Sequence, residues 1–211
     1  MKCIAIGNMK GGVGKSTLAV HIGCELAARN RSVVLFDADV QGTATDWCNR
    51  GALPIQCETI PIESVEVAQT LIRRVRASPM EIAVIDLPPH TREATEAALM
   101  ACDLFLIPVT PSGADFTATR KLLSLLQDAR ALRNGSPKAL MVPSRVDRRT
   151  SFGKEVSDAL TGFGEPVGPP IGQRSVYVDC FGLADWVGRV YPHSTAYSEL
   201  QQLTTLIEEM I

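Results

Sequence analysis

The chain has 211 residues, 45% of them hydrophobic, and a formal net charge of −2. This length suffices for one domain, and we expect residues 1–211 to form a single one. The small net charge excludes a strong overall attraction to nucleic acid, so any such binding needs a local basic patch. The sequence has no apolar run near 18 residues and no apparent signal-peptide cleavage site, so we expect a cytoplasmic location.

Apolar runs alternate with amphipathic helical patterns from end to end. In chain order the patterns predict strands at KCIAIGN, SVVLFDAD, LPIQCETI, EIAVIDL, DLFLIPV and KALMVPSRV, and a weaker strand or extended segment at EPVGPPIG. Between and after these strands they predict helices at STLAVHIGCELAAR, ESVEVAQTLIRRVRA, TREATEAALMA, ADFTATRKLLSLLQDARAL and FGKEVSDALTGF, and around SVYVDCFGLADWV and AYSELQQLTTLIEEM. Continuous apolar strands between such helices are typical of a parallel sheet covered on both faces. We therefore predict a doubly wound, mostly parallel α/β sheet of about seven strands.

The six cysteines are scattered, without a C-x-x-C pair. We expect most of them to be buried small hydrophobic residues in a reducing cytosol. A metal-chaperone or cluster-scaffold protein is an alternative function, but neither Cys102 nor Cys180 has the spacing of a metal ligand.

A glycine-rich segment, GNMKGGVGKS, follows the first predicted strand and fits G-x-x-x-x-G-K-[ST]. Its glycines allow backbone N–H groups to point at phosphate oxygens, and the helix behind it adds the positive end of its dipole. We expect Lys15 to contact the β- and γ-phosphates and Ser16 to offer its hydroxyl to Mg²⁺. The expected nucleotide-binding residues of this segment are Gly11, Gly12, Val13, Gly14, Lys15, Ser16 and Thr17.

Acidic residues end two further strands. Asp37 and Asp39 end SVVLFDAD and are followed by Gln41, and Asp86 ends EIAVID, which has the Walker B form. One of the first two carboxylates can face the phosphate site and polarise attacking water. Acidic strand ends also occur as helix caps, which leaves that alternative open. We expect Asp86 to hold Mg²⁺ through a water.

These motifs resemble those of the ParA/MinD family of deviant Walker A ATPases. KGGVGKST, from Lys10 to Thr17, is similar to the family's phosphate loop, with Lys10 as its signature lysine. DADVQG is similar to its D-x-D-P-Q-G motif, although Val40 replaces the proline, and VIDLPP is similar to its Walker B segment. IGQRSVYVD and PVTPSGADF resemble segments of the small ParA-type (ParF-like) partition ATPases that lack an N-terminal helix-turn-helix.

The resemblance implies a Mg²⁺-dependent ATPase that binds ATP and ADP and closes as a sandwich homodimer around two ATP molecules. Lys10, Lys15 and Asp39 would be its catalytic residues, with Lys10 reaching the partner's phosphates. Asp39 would orient the hydrolytic water beside the metal, while Asp37 and Gln41 would support the nucleotide site. The adenine-reading positions of relatives fall on Ser144, Arg145, Pro170 and Ile171.

The same resemblance implies a nucleoid-associated partition protein. Members of the subgroup bind DNA without sequence preference as ATP dimers, and a ParB-type adaptor stimulates hydrolysis and releases them. The final segment YSELQQLTTLIEEMI is acidic, so we expect no membrane partner. A metabolic ATP-dependent ligase or synthetase of the same superfamily remains an alternative. The candidate DNA-binding residues are Arg145, Arg148, Arg149, Arg174 and Arg189.

Overall fold

A parallel sheet of six strands, in the order β3-β2-β4-β1-β5-β6, forms the centre of the protein. The structure is a computed structural model that describes the backbone of residues 1–211 and every side chain except those of residues 113–115. The strands are β1 Lys2–Ile6, β2 Val33–Asp37, β3 Gln56–Thr59, β4 Ile82–Asp86, β5 Leu104–Val109 and β6 Lys138–Pro143.

Helices cover both faces of this sheet. They are α1 Lys15–Ala28, α2 Thr43–Arg50, α3 Val65–Ala77, α4 Arg92–Ala101, α5 Gly113–Leu132, α6 Ser151–Thr161, α7 Val176–Gly182, α8 Val187–Val190 and α9 Thr195–Met210. Alternation along the strands divides the core in two. In β1, for example, Cys3 and Ala5 pack with α3 to α6, whereas Ile4 and Ile6 pack with α1, α2 and α7 to α9. The predicted doubly wound α/β architecture is confirmed.

The sheet has six strands rather than about seven, because the segment EPVGPPIG does not form a continuous strand. It makes only the isolated bridges Met141 to Val167 and Val146 to Gly172. Its three prolines have no backbone N–H to donate to a neighbouring strand, so a regular hydrogen-bonded ladder cannot form along it.

Two helical predictions differ from the structure. Helix α2 was not predicted, because it spans eight residues and only Ala44 and Trp47 of it are buried. The single helix expected around SVYVDCFGLADWV is two helices, α7 and α8, separated by a turn in which Ala184 has a φ of 51°.

The final helix, α9, packs against α1 and buries Leu200, Leu203 and Ile207. Glu208, near its end, forms an ion pair with Arg29 at 2.7 Å. Within the described part of the chain, no helix combines the length and the apolar character that crossing a bilayer requires.

Candidate functional site

The glycine-rich loop lies between β1 and α1 and has a backbone that only glycine adopts easily. Gly12 and Gly14 have φ values of 75° and 92°, in the left-handed region. Gly14 is the N-cap residue of α1, and no side chain caps the start of this helix. The first N–H groups of α1 therefore remain available to an anion, which is the geometry that the sequence predicted.

The two lysines of the loop point in different directions. The Lys15 ammonium is buried and donates to the Lys10 carbonyl at 3.1 Å. Burial lowers the pKa of Lys15, while the negative charges of Asp86 and Asp39 oppose this shift. The Lys10 ammonium instead lies near β5 and donates to Ser112 Oγ at 3.2 Å.

A second segment, directly after β6, holds the loop from the other side. Ser144 Oγ donates to the Val13 carbonyl at 2.8 Å, and Arg145 Nη1 donates to the Gly12 carbonyl at 2.7 Å. Arg145 has a φ of 53°, a conformation that is uncommon for a residue with a side chain. Two of the four residues expected to contact adenine, Ser144 and Arg145, thus bind the phosphate loop itself in this structure. These two contacts were not evident from the sequence, because they join segments about 130 residues apart.

Two fully buried aspartates lie side by side at the carboxyl ends of adjacent strands. Asp37 of β2 is the register partner of Asp86 of β4. Asp37 Oδ1 accepts from the Asp39 amide at 3.1 Å, and Oδ2 accepts from the Thr45 amide at 2.8 Å and the Thr45 hydroxyl at 2.9 Å. Both carboxylate oxygens of Asp37 therefore have hydrogen-bond donors, and these bonds hold the start of α2 next to β2.

Asp86 is in the opposite situation, since neither of its carboxylate oxygens has a hydrogen-bond partner among the described residues. Burial raises the pKa of Asp86 to about 8, although the nearby Ser16 hydroxyl and the Lys15 ammonium act in the other direction. A buried carboxylate without partners is costly unless a ligand completes it. Carboxylate and hydroxyl oxygens are the ligands that Mg²⁺ prefers, so Asp86 and Ser16 fit a magnesium site.

A cavity of about 810 Å³ connects these elements. This volume is in the range of sites for small molecules and cofactors. Asp39 reaches the cavity, and its Oδ1 accepts from the Gln41 amide at 2.9 Å. The predicted site residues that line the cavity are Gly11, Gly12, Gly14, Lys15, Ser16, Thr17, Asp39, Gln41, Ser144, Arg145 and Ile171, together with Arg149 and Arg174.

The other predicted site residues lie outside this lining. Val13, Asp37 and Asp86 are fully buried behind it. Among the residues whose side chains are described, Lys10 lines an adjacent cavity of about 570 Å³ and not the larger one, and Pro170 lines neither.

The larger cavity has an aromatic end that the sequence did not indicate. Trp47 of α2 and Tyr177 and Phe181 of α7 line it. The ring of Trp47 packs edge-on against Phe181, with centroids 5.1 Å apart, and its indole N–H donates to the Asp185 carbonyl at 3.1 Å. In the sequence, the only indication of this aromatic end was the position of Trp47, about one and a half helical turns after the DADVQG motif.

The candidate DNA-binding arginines have different surroundings. Arg149 pairs with Asp147 at 2.7 Å, Arg174 with Glu199 at 2.6 Å, and Arg189 with Asp185 at 3.0 Å. Arg148 is exposed, and Arg145 is exposed apart from its contact with the loop. The structure brings Arg145, Arg149 and Arg174 together around the larger cavity, and Arg148 and Arg189 do not line it.

A glycine loop before a helix, a buried lysine and an unpartnered aspartate on a parallel sheet define a P-loop nucleotide-binding protein. Residues 4–178 match the family model of the CobQ/CobB/MinD/ParA nucleotide binding domain, and the chain belongs to this family. The predicted relationship to ParA and MinD is therefore confirmed.

Individual relatives are similar over most of their length. Maintenance of carboxysome distribution protein A of Halothiobacillus neapolitanus is 30% identical over 184 residues, which are 82% of this chain and 81% of that protein. Protein ParA of Rhizobium radiobacter is 27% identical over 187 residues, 86% of this chain and 82% of that protein. A solved complex of Cyanothece McdA with ATP has the same fold, with a TM-score of 0.80 at 18% identity, and the match covers 100% of this chain and 96% of that one.

Proposed function

We propose that the chain is a partition or positioning ATPase that binds ATP with Mg²⁺ and closes as a homodimer around the nucleotide. In this state it binds nucleoid DNA without sequence preference, and a ParB-type adaptor stimulates hydrolysis and releases it. Its membership of the family and the printed names of its relatives, a carboxysome distribution protein and a ParA, support this class of function. The cargo is a DNA molecule or a protein assembly that the adaptor connects to the dimer.

The observation that carries the proposal is the opposite placement of the two loop lysines. Lys15 is buried at the larger cavity, whereas Lys10 extends from the same loop to Ser112 and lines the smaller cavity. A cation held at the rim of its own site is suited to complete the site of a second copy. It would then stabilise charge on the transferred phosphoryl group in the way that an arginine finger does.

The residues of the chain divide the chemical work between them. The N–H groups of the loop and of the first turn of α1 bind phosphate oxygens, and Lys15 exchanges the Lys10 carbonyl for a phosphate oxygen. Asp39, at the cavity, orients a water molecule and accepts its proton. Asp86 and Ser16 would hold Mg²⁺, which supplies charge neutralisation at the β- and γ-phosphates.

The dimer is tested by light scattering coupled to gel filtration, with the Asp39→Ala variant used to retain ATP. We expect a dimer with Mg-ATP, a monomer with Mg-ADP, and loss of the ATP dimer when Lys10→Ala is added. Lys2→Ala is the matched control, because Lys2 is an exposed lysine at the opposite, amino end of β1. A dimer that tolerates Lys10→Ala as well as Lys2→Ala would contradict the role of Lys10.

DNA binding is tested by titrating duplexes of unrelated sequence with and without ATP at several salt concentrations. We expect binding only with ATP and an affinity that falls linearly with salt on a logarithmic scale. Arg148→Ala should reduce the salt slope of the dimer by about 2 if Arg148 contacts one phosphate per chain, whereas Arg76→Ala, at the exposed end of α3, should not change it. Absence of DNA affinity together with turnover of a small-molecule acid would favour a ligase or synthetase instead.

A further inference from the structure

Two cysteines meet between α2 and the edge strand β3. Cys48 lies on α2 and Cys57 on β3, and the two thiols are close enough for each to shift the pKa of the other. Both are partly exposed, whereas Cys3, Cys24, Cys102 and Cys180 are buried as the sequence led us to expect. Among the described residues, the pair thus combines two neighbouring thiols with partial exposure to small oxidants.

Two threonines next to these cysteines connect α2 to β3. Thr45 precedes Cys48 by three residues and shares its helix face, and Thr59 follows Cys57 by two residues and shares its strand face. The Thr45 and Thr59 hydroxyls are 2.9 Å apart, and Cys57 Sγ lies 3.9 Å from Thr45 Oγ1. These contacts hold α2 against β3 on the side that carries both cysteines.

The same threonine connects the pair to the acidic residues of the nucleotide site. Thr45 donates both its amide and its hydroxyl to Asp37 Oδ2, and Asp37 Oδ1 accepts from the Asp39 amide. A covalent bond at Cys48 and Cys57 would therefore fix the helix that follows Asp39 and Gln41.

We propose that Cys48 and Cys57 are a reversible disulfide site, closed by a peroxide and opened by a dithiol. In the closing reaction the Cys57 thiolate attacks one peroxide oxygen, which forms a sulfenic acid and releases water. Cys48 sulfur then attacks the sulfenic sulfur, forms the S–S bond and releases a second water. Two thiols are oxidised and one hydrogen peroxide is reduced to two waters. A dithiol reverses the bond by exchange through a mixed disulfide.

The surroundings assign the first attack to Cys57. The interaction with the Cys48 thiol lowers the pKa of Cys57, whereas the pKa of Cys48 itself is raised by the same interaction and by burial. The thiolate is the reactive form, so Cys57 reacts first and Cys48 resolves the intermediate.

The pair is tested on the full chain by exposure to hydrogen peroxide, alkylation of the remaining thiols and peptide mapping by mass spectrometry. We expect a Cys48–Cys57 crosslink that a dithiol removes. Cys48→Ser should leave a sulfenic acid on Cys57 that dimedone traps, and Cys57→Ser should leave Cys48 unoxidised. Cys24→Ala is the control, since the buried Cys24 is a neighbour of Cys48, and it should oxidise like the unaltered chain. A Cys24–Cys48 crosslink, or sulfenic acid on Cys48 in Cys57→Ser, would overturn the proposal.

The effect on α2 is measured without nucleotide, so that it does not depend on the proposed ATPase. A closed loop of about ten residues should raise the Tm of the oxidised chain by roughly 5 °C, and amide exchange in α2 should slow several-fold. Neither change should occur in Cys48→Ser. Equal exchange of α2 in the oxidised and reduced chains would refute the structural consequence of the bond.

Discussion

The paired aspartates at the ends of β2 and β4 should respond in opposite ways to the same substitution. Asp37 accepts three hydrogen bonds, and Asp86 accepts none from the described residues although both are fully buried. Asp37→Asn removes the charge that these donors stabilise, which should lower the free energy of unfolding by about 1–3 kcal/mol. Asp86→Asn removes a buried carboxylate without partners and should raise it.

The expected increase in the free energy of unfolding of Asp86→Asn follows from the difference in the pKa of Asp86 between the folded and unfolded chain. The pKa of Asp86 is raised from 3.8 to about 8 in the folded chain. The contribution of Asp86 to the free energy of unfolding is therefore unaffected below pH 3.8, and it falls as the pH rises towards 8. At pH 7 the loss is at most about 4 kcal/mol, and we expect Asp86→Asn to recover roughly half of it, or about 5 °C in Tm.

The assay is thermal unfolding in a chelator at pH 7, repeated with Mg-ADP and at pH 5. In the chelator Asp86→Asn should unfold at a higher temperature than the unaltered chain, and Asp37→Asn should unfold at a lower one. With Mg-ADP the order of Asp86→Asn and the unaltered chain should reverse, because the variant lacks the carboxylate that completes the metal site. A lower Tm for Asp86→Asn in the chelator would refute the argument that the carboxylate is costly without a ligand.

Two further predictions concern buried groups near the site. His21 is fully buried, and burial lowers its pKa to about 3, so stability should fall as the pH drops from about 6.5 towards 3, by roughly 2 kcal/mol at pH 5. His21→Asn keeps an acceptor for the Val187 amide and should remove this part of the pH dependence in denaturant titrations; an unchanged dependence would show that other groups cause it. Ser144→Ala removes the donor to the Val13 carbonyl and should cost about 1–2 kcal/mol and weaken ADP binding measured by calorimetry. ADP affinity equal to that of the unaltered chain would mean that this hydrogen bond does not organise the loop.

The sequence was sufficient for the features that depend on local pattern. Every strand except β3 is a largely buried apolar run, and the phosphate loop has its signal in Gly14, Lys15 and Ser16 within one segment. Asp86 was recognisable because it ends such a run. These features need no knowledge of what is adjacent in space, so periodicity and motif spacing were enough to predict them.

The rest depends on contacts between distant segments. Ser144 and Arg145 bind the loop only because β6 lies two strands from β1 in the sheet, and the sequence gives no order of strands. The direction of Lys10 likewise depends on β5, which follows it by about 100 residues. Helix α2 was not predicted because it has only eight residues and buries only Ala44 and Trp47, which is too short an apolar face to recognise in the sequence.

That helix is the element through which the acidic motif meets the carboxyl-terminal part of the chain. Its first turn is held by Asp37 through Thr45, and its other end is held by contacts of Trp47 with the Asp185 carbonyl and of Arg50 with the Phe181 carbonyl, at 3.1 and 3.2 Å. Any displacement of Asp39 and Gln41 that moved α2 would have to break one of these two attachments. The Thr45 contact with Asp37 is part-buried and charge-assisted, and the Trp47 side chain is buried, whereas the Arg50 contact is exposed, so the contact of Arg50 with α7 is the weakest of the three. A change at the nucleotide site should therefore reach the surface through α2 and α7, next to the aromatic end of the cavity.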